Sequence, residues 1–281
     1  MLGSEFGARQ TMRLATWNIN SVRLRIQLVI DFLQQHNIDV LCLQETKTED
    51  QHFPAEALAE AGWAEQAYRG EKSYNGVAII SRLPLSGATH MNWAGREDCR
   101  HISAVIDAGS SPGSGVGARR VRVHNFYVPA GGDVPDRGEN PKFGHKLDFI
   151  AEMTSHFSAN PPQAEILVGD LNIAPLAEDV WSTKQLHKVV SHTPVEREGM
   201  LRLIEEGGWR DVVRSHFGPD EVLYSWWSYR AHDWAASDRG RRLDHVWTSP
   251  DLAEKVTHVS IERALRGAEK PSDHVPTVIT M

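Results

Sequence analysis

Two stretches constrain this chain more than anything else in it. IDVLCLQE (38–45) and AEILVGDLN (164–172) are apolar at almost every position and then turn abruptly polar. A strand with one wet face alternates; a strand without alternation has both faces covered. Two such strands therefore demand layers on either side of a sheet. MRLATWNIN (12–20) adds a third strand with a polar end.

The remaining periodicities fill in those layers. NGVAIISR (75–82), HISAVIDA (101–108), RRVRVHNFYVP (119–129), RRLDHVWTS (241–249), KVTHVSIERAL (255–265) and VPTVIT (275–280) read as further strands. Helical spacing appears in 23–37, through Leu24, Leu28, Val29, Phe32 and Leu33. It appears again in 142–159, through Leu147, Ile150, Met153 and Phe157, and in 196–209, where Gly207-Gly208 stops the helix. GSSPGSGVG (109–117) has the composition of a hairpin tip. The order is two similar runs of strand, helix and several strands, with no Pro-rich or low-complexity linker. The expected fold is α/β: two facing sheets with helices outside, in a single domain over 12–281. Residues 1–11, MLGSEFGARQT, read as an expression leader with a native start at Met12.

Composition excludes several classes. With 281 residues, 41% of them hydrophobic, the chain can bury a large core. Charged residues at 24% argue against wholesale disorder. No apolar run reaches the roughly 20 residues of a membrane helix, and the N-terminus lacks a secretion pattern. Two distant cysteines, Cys42 and Cys99, argue against a disulfide framework, and the expected compartment is the reducing cytoplasm. A net charge of −7 speaks against a passive nucleic-acid coat. It is compatible with an enzyme whose acidic metal ligands outweigh a local basic face.

The chemistry concentrates at strand ends. Asn18, Glu45, Asp170 with Asn172, and Asp273 with His274 each stand at the edge of an apolar segment. Taken singly, each is a cap or turn former. Taken together, repeated carboxylate, amide and imidazole endings imply convergence on something charged. Oxygen ligands of this kind suit Mg²⁺ or Mn²⁺. The lack of cysteine ligands and of a His-x-x-x-His helix argues against zinc.

Nine motifs occur in order: TWNINSVR, LCLQETK, NGVAIISR, NFYVP, VGDLNIAP, PVEREGM, YSWWSYR, GRRLDHVW and PSDHVP. In this set the chain resembles the exonuclease III family of DNA-repair nucleases, within the endonuclease/exonuclease/phosphatase superfamily. The resemblance implies a four-layered α/β sandwich with two facing mixed β-sheets flanked by helices. It implies a monomeric Mg²⁺-dependent phosphodiesterase, with Mn²⁺ as an alternative ion. The partner would be double-stranded DNA carrying damaged, abasic or blocked 3′ sites. The activities implied are 3′→5′ exonuclease, 3′-phosphatase or phosphodiesterase, and incision 5′ to abasic sites.

Residue by residue, the resemblance makes Glu45, Asn18 and Asp273 metal-binding, with Asn20 supporting the metal's water shell. His274 would bind the scissile phosphate and handle the attacking water's proton, oriented by Asp244. Asp170 would activate the water or protonate the leaving oxygen. Asn172 and Tyr127 would hold phosphate oxygens. Trp226 would be the aromatic wall of a nucleotide pocket, while Tyr224 and Trp227 read as core residues of a strand. Arg100 and Arg230, together with Arg23, Arg25, Lys142, Arg241 and Arg242, are candidates for DNA backbone contacts. His101 and His124 read as core or face residues. Ser191-His192 departs from the Gly-Phe pair of relatives, and a bulkier polar loop there would obstruct a flipped-out abasic nucleotide while admitting a 3′ terminus. Two other readings compete. A superfamily sibling acting on inositol phosphates or sphingolipids would carry a Cys-Asp-Arg segment where this chain has RRLDHV. A non-catalytic DNA-binding module would not need Glu45, Asp170, Asn172, Asp244, Asp273 and His274 together.

Overall fold

The computed structural model describes residues 11–109, 120–231 and 233–281. The leader and the hairpin tip read from the sequence lie almost wholly outside the described residues.

Among the described residues, twelve strands form two mixed six-stranded sheets. The first contains β1 (Arg13–Asn18), β2 (Val40–Gln44), β3 (Glu65–Glu71), β4 (Tyr74–Ser81), β11 (His258–Ile261) and β12 (Thr277–Thr280), in the order β11-β12-β1-β2-β4-β3. The second contains β5 (Leu85–Thr89), β6 (His101–Asp107), β7 (Arg120–Tyr127), β8 (Glu165–Asp170), β9 (Arg210–Asp211) and β10 (Asp244–Thr248), in the order β5-β6-β7-β8-β10-β9. Each has one parallel pair, β1 with β2 and β7 with β8.

The unalternating strands have the predicted cause. Val40 and Cys42 of β2 face a core shared with Ile102, Ala104 and Ile106 of β6, and with Val123, Ile166, Val168 and Val246 of the same second sheet. Leu41 and Leu43 point the other way. They pack with Trp17, Ala78 and Ile80 against α1 (Ile26–Gln35), through Val29, Phe32 and Leu33. In β8, Leu167 faces outward onto α3 (Pro141–Ala159) and α5 (Pro194–Glu206), meeting Phe149, Met153, Met200 and Leu203. Helix, sheet, sheet and helix make four layers. The short α2 (Ala55–Glu60) joins the first helical layer, and α4 (Thr183–Leu186) precedes the loop into α5.

Three local expectations are corrected. Leu24 is 59% exposed, because α1 begins only at Ile26. On α3 the buried stripe runs through Phe143, Phe149, Ile150, Met153 and Phe157, with Leu147 only half-buried. YSWWSYR is no strand: Trp226 makes isolated bridges to Arg241 and His274, so the segment crosses between the two sheet ends. Trp227 is buried there, but Tyr224 is only half-buried.

Candidate active site

The strand ends meet at one edge of the sandwich. A cavity of about 740 Å³ opens there, lined by Glu45, Tyr127, Asp170, Asn172, Trp226, Arg230, Asp273 and His274 among others. Glu45 and His274, 229 positions apart in sequence (274 − 45), thus share one cavity.

Backbone conformation aims these groups. Glu45 follows the last residue of β2 with φ +50, Asn20 has φ +47 and Asn172 has φ +54. Left-handed residues are rare outside glycine and concentrate where a chain must turn a side chain off its strand. Gly169 has φ +141, and a Cβ there would strike the Phe126 carbonyl of the neighbouring strand. The glycine of VGDLN is what lets β8 lie against β7 and deliver Asp170.

Asn18 is fully buried and bridges two carboxylates, its Nδ2 donating to Glu45 Oε1 at 2.9 Å and to Asp170 Oδ2 at 2.8 Å. The Tyr127 hydroxyl donates to Glu45 Oε1 at 2.9 Å. Lys47, which the sequence reading passed over, places Nζ 2.6 Å from Glu45 Oε2 and 2.6 Å from Asn20 Oδ1. Asn20 Nδ2 donates to Asp273 Oδ1 at 3.0 Å, and Trp226 Nε1 donates to Asp273 Oδ2 at 3.0 Å. Asn172 donates its backbone N–H to Asp170 Oδ1 at 3.0 Å, and its Nδ2 to Asp170 Oδ2 and the Val128 carbonyl.

His274 completes the set. Its Nδ1 lies 2.8 Å from Asp244 Oδ2, and its Nε2 3.7 Å from Asp170 Oδ2. An ionised carboxylate only accepts, so Nδ1 carries the proton. Burial alone would lower the His274 pKa; the charges of Asp244 and Asp170 outweigh it and push the value up to about 10. Asp170 moves up to about 7, chiefly because burial disfavours its charge, with Asp244 adding repulsion. Burial also acts to raise Glu45, but the charge and hydrogen bond of Lys47 outweigh it and hold Glu45 below its usual value.

The donor chemistry fits a hard cation. Glu45 and Asp273 offer oxygen ligands, as Mg²⁺ and Mn²⁺ prefer, whereas the Asn18 Oδ1 expected as a further ligand accepts from the Asn20 backbone N–H at 3.1 Å. Asp170, Asp244 and His274 also lie close enough to hold an ion. Nδ1 is committed to Asp244, and a His274 pKa pushed up to about 10 keeps Nε2 protonated as well, so the ring has no free lone pair and this second group reads as a proton-handling chain.

The cavity does not contain every candidate. Asn18, Asn20 and Asp244 stand behind its wall and position the groups that line it. Arg100 is a correction: it is 6% exposed, bonded to Asp98 and the Tyr127 carbonyl, and stacked over the Tyr127 ring, so it supports Tyr127 from behind. Arg242 is buried between Asp179 and Asp211, and Arg25 is buried against the carbonyls of Lys270 and Pro271, so both serve the fold. Arg23, Lys142 and Arg230 are exposed. His192 is fully buried, with Nδ1 on the Ala174 carbonyl and Nε2 on Thr183, so Val189, Val190 and Ser191 form that wall instead. His101 and His124 stack, with ring nitrogens 3.2 Å apart.

The sequence reading also missed a fully buried ion pair, Lys146 with Glu196. Lys146 donates to the carbonyls of Ala130 and Asn172, while Glu196 accepts from the Ser191 and Thr193 backbone. The pair ties together three loops around the cavity. Its signal was present as Glu196, three residues after Thr193 in a capping box.

Fold and site together define a hydrolase of phosphate esters, and the chain belongs to the Endonuclease/Exonuclease/phosphatase family, whose model matches residues 15–274. Within it the chain is a DNA-repair nuclease of the exonuclease III type. It is 30% identical to an exodeoxyribonuclease of Bacillus subtilis, over 94% of this chain and 97% of the relative. The 3′ phosphatase NExo from Neisseria, solved with a product DNA hairpin, superposes with a TM-score of 0.83 at 31% identity, covering 95% of this chain and 98% of that one. An AP endonuclease from Archaeoglobus fulgidus gives 0.85 at 30%, with the same coverage. No helix among the described residues is long and apolar enough to cross a membrane.

Proposed function

We propose that the protein hydrolyses phosphate esters at damaged or blocked 3′ ends of duplex DNA, with Mg²⁺ or Mn²⁺ held by Glu45 and Asp273, and with Asn18 positioning Glu45 from behind. The observation that carries this reading is the continuous chain Glu45–Asn18–Asp170–His274–Asp244 around one cavity. A bound divalent cation would neutralise phosphate charge and stabilise the departing oxyanion.

The chain's own groups supply the rest. Protonated His274, fixed by Asp244, donates through Nε2 to a non-bridging oxygen. Asp170, with a pKa of about 7, exchanges a proton with the attacking water or the leaving 3′ oxygen. Tyr127 and Asn172 present donors to the phosphate by giving up their bonds to Glu45 and Asp170. Trp226 offers a face to a sugar or base. Water's oxygen bonds to phosphorus, the P–O3′ bond breaks, and the DNA keeps a 3′-hydroxyl.

The Val189–Ser191 wall bounds the cavity on one side, and the proposed reading takes in both 3′-end processing and incision 5′ to abasic sites. A monomer in the cytoplasm completes the reading, and the free thiols of Cys42 and Cys99 fit that compartment. The test uses Mg²⁺ and labelled duplexes bearing a recessed 3′ end, a 3′-phosphate or an abasic site, with an inositol polyphosphate as competing substrate. Cleavage of the 3′-modified duplexes that stops with chelator is expected. Hydrolysis of the inositol polyphosphate alone would overturn the proposal.

A further inference from the structure

Asp273 stands in a stretch that no regular element holds. Helical structure ends at Gly267 and β12 begins at Thr277, so this carboxylate sits in a loop. Arg25 clamps that loop. It is the N-cap residue of α1 and is only 8% exposed. Its Nε donates to the Lys270 carbonyl at 2.8 Å. Its Nη2 donates to the Pro271 carbonyl at 2.9 Å and to the Tyr229 hydroxyl at 3.1 Å. Its Nη1 donates to the carbonyls of Asn20 and, at 3.3 Å, Ile19. The Tyr229 hydroxyl in turn donates to the Pro271 carbonyl at 2.7 Å.

A guanidinium carries five N–H groups in a rigid fork. Here the five contacts go to four carbonyls and one hydroxyl, all of them neutral oxygens. Directional bonds, not charge pairing, therefore fix this side chain. The acceptors belong to three segments remote in sequence, and two of them carry the site. Asn20 donates through Nδ2 to Asp273 Oδ1 at 3.0 Å, and Pro271 stands just before Ser272 and Asp273. Arg266, also buried, differs: its Nη2 reaches the Trp227 carbonyl at 3.3 Å and its Nε has no hydrogen-bond partner. We infer that Arg25 is a positioning residue for the metal site, which sets the Asp273 carboxylate against Asn20 by locking the 19–20 loop to the 270–271 turn. The inference rests on Asp273 as a metal ligand, as proposed above, and deepens that reading. A lysine in its place has three donors on a flexible stem and cannot reproduce the fork.

The experiment titrates the protein with Mn²⁺ and reads the free ion by electron paramagnetic resonance, without DNA and without turnover. Arg25→Lys keeps the charge, so a role in attracting DNA would survive it, but it should weaken Mn²⁺ binding about tenfold or more, the scale of losing a group that orients a metal ligand. Tyr229→Phe removes one bond of the clamp at a half-exposed side chain and should weaken binding less, in the same direction. In an Asp273→Asn background, Arg25→Lys should weaken binding no further, because the two act through one carboxylate. Melting in chelator shows whether each variant is folded at the titration temperature; if Arg25→Lys is not, Tyr229→Phe decides alone. Wild-type affinity in the deciding variant, or an undiminished loss in the Asp273→Asn background, overturns the role of Arg25 while leaving Asp273 a ligand. Wild-type affinity in Asp273→Asn itself overturns both readings.

Discussion

Asp244 Oδ2 lies 2.8 Å from His274 Nδ1, and both side chains are buried. Asp244 opens β10 of the second sheet and His274 lies in the turn before β12 of the first, so this hydrogen bond joins the two sheets at the site. It fixes which imidazole nitrogen faces Asp170.

His274→Asn should lower kcat by about 10²–10⁴, the range of a lost acid–base group. The fold should persist by circular dichroism. A steady-state rate close to that of the wild type would remove His274 from the mechanism.

Glu45→Gln should raise the Mg²⁺ concentration needed for half-maximal rate by about tenfold or more, since a carboxylate ligand becomes an amide. A magnesium titration checks it. An unchanged midpoint would exclude Glu45 as a ligand.

The pH dependence has a definite sign. His274 is raised from 6.5 to about 10, so its stabilising contribution is complete below 6.5 and is lost as pH rises through about 10. Asp170, raised to about 7, works in the same direction, because its ionisation costs the fold. Denaturation with chelator present should show stability falling from pH 6.5 toward about 10. His274→Asn should flatten that fall; parallel curves would contradict the assignment.

Lys146→Met should destabilise the protein by about 3–5 kcal/mol, because Glu196 is left buried and unpaired. Lys146→Met combined with Glu196→Leu should cost less than the two single changes together. Urea denaturation of the three variants measures the coupling, and strict additivity would show none.

Gly169→Ala should be severely destabilising, since the backbone conformation at φ +141 and the Phe126 carbonyl both oppose a side chain. A variant that melts with the wild type would show that β8 can shift away from β7.

The layered fold was legible because β2 and β8 lack alternation, and covering both faces of a strand leaves few architectures. The edge strands β3, β5 and β9 were not legible. Their burial is partial, so period and composition carry little signal. The ends at Asn18, Glu45, Asp170 and His274 announced a site because polar groups seldom close buried strands without a shared purpose.

The sequence by itself determined which residues are buried strand and which polar types close them, since both follow from local pattern. Only the tertiary structure decided partners. Lys47 on Glu45, Lys146 on Glu196, Arg242 on Asp179 and Arg241 over Trp226 are facts of charge and burial across the fold. Coulombic pairing depends on distance in space and on burial, and neither is written in spacing along the chain.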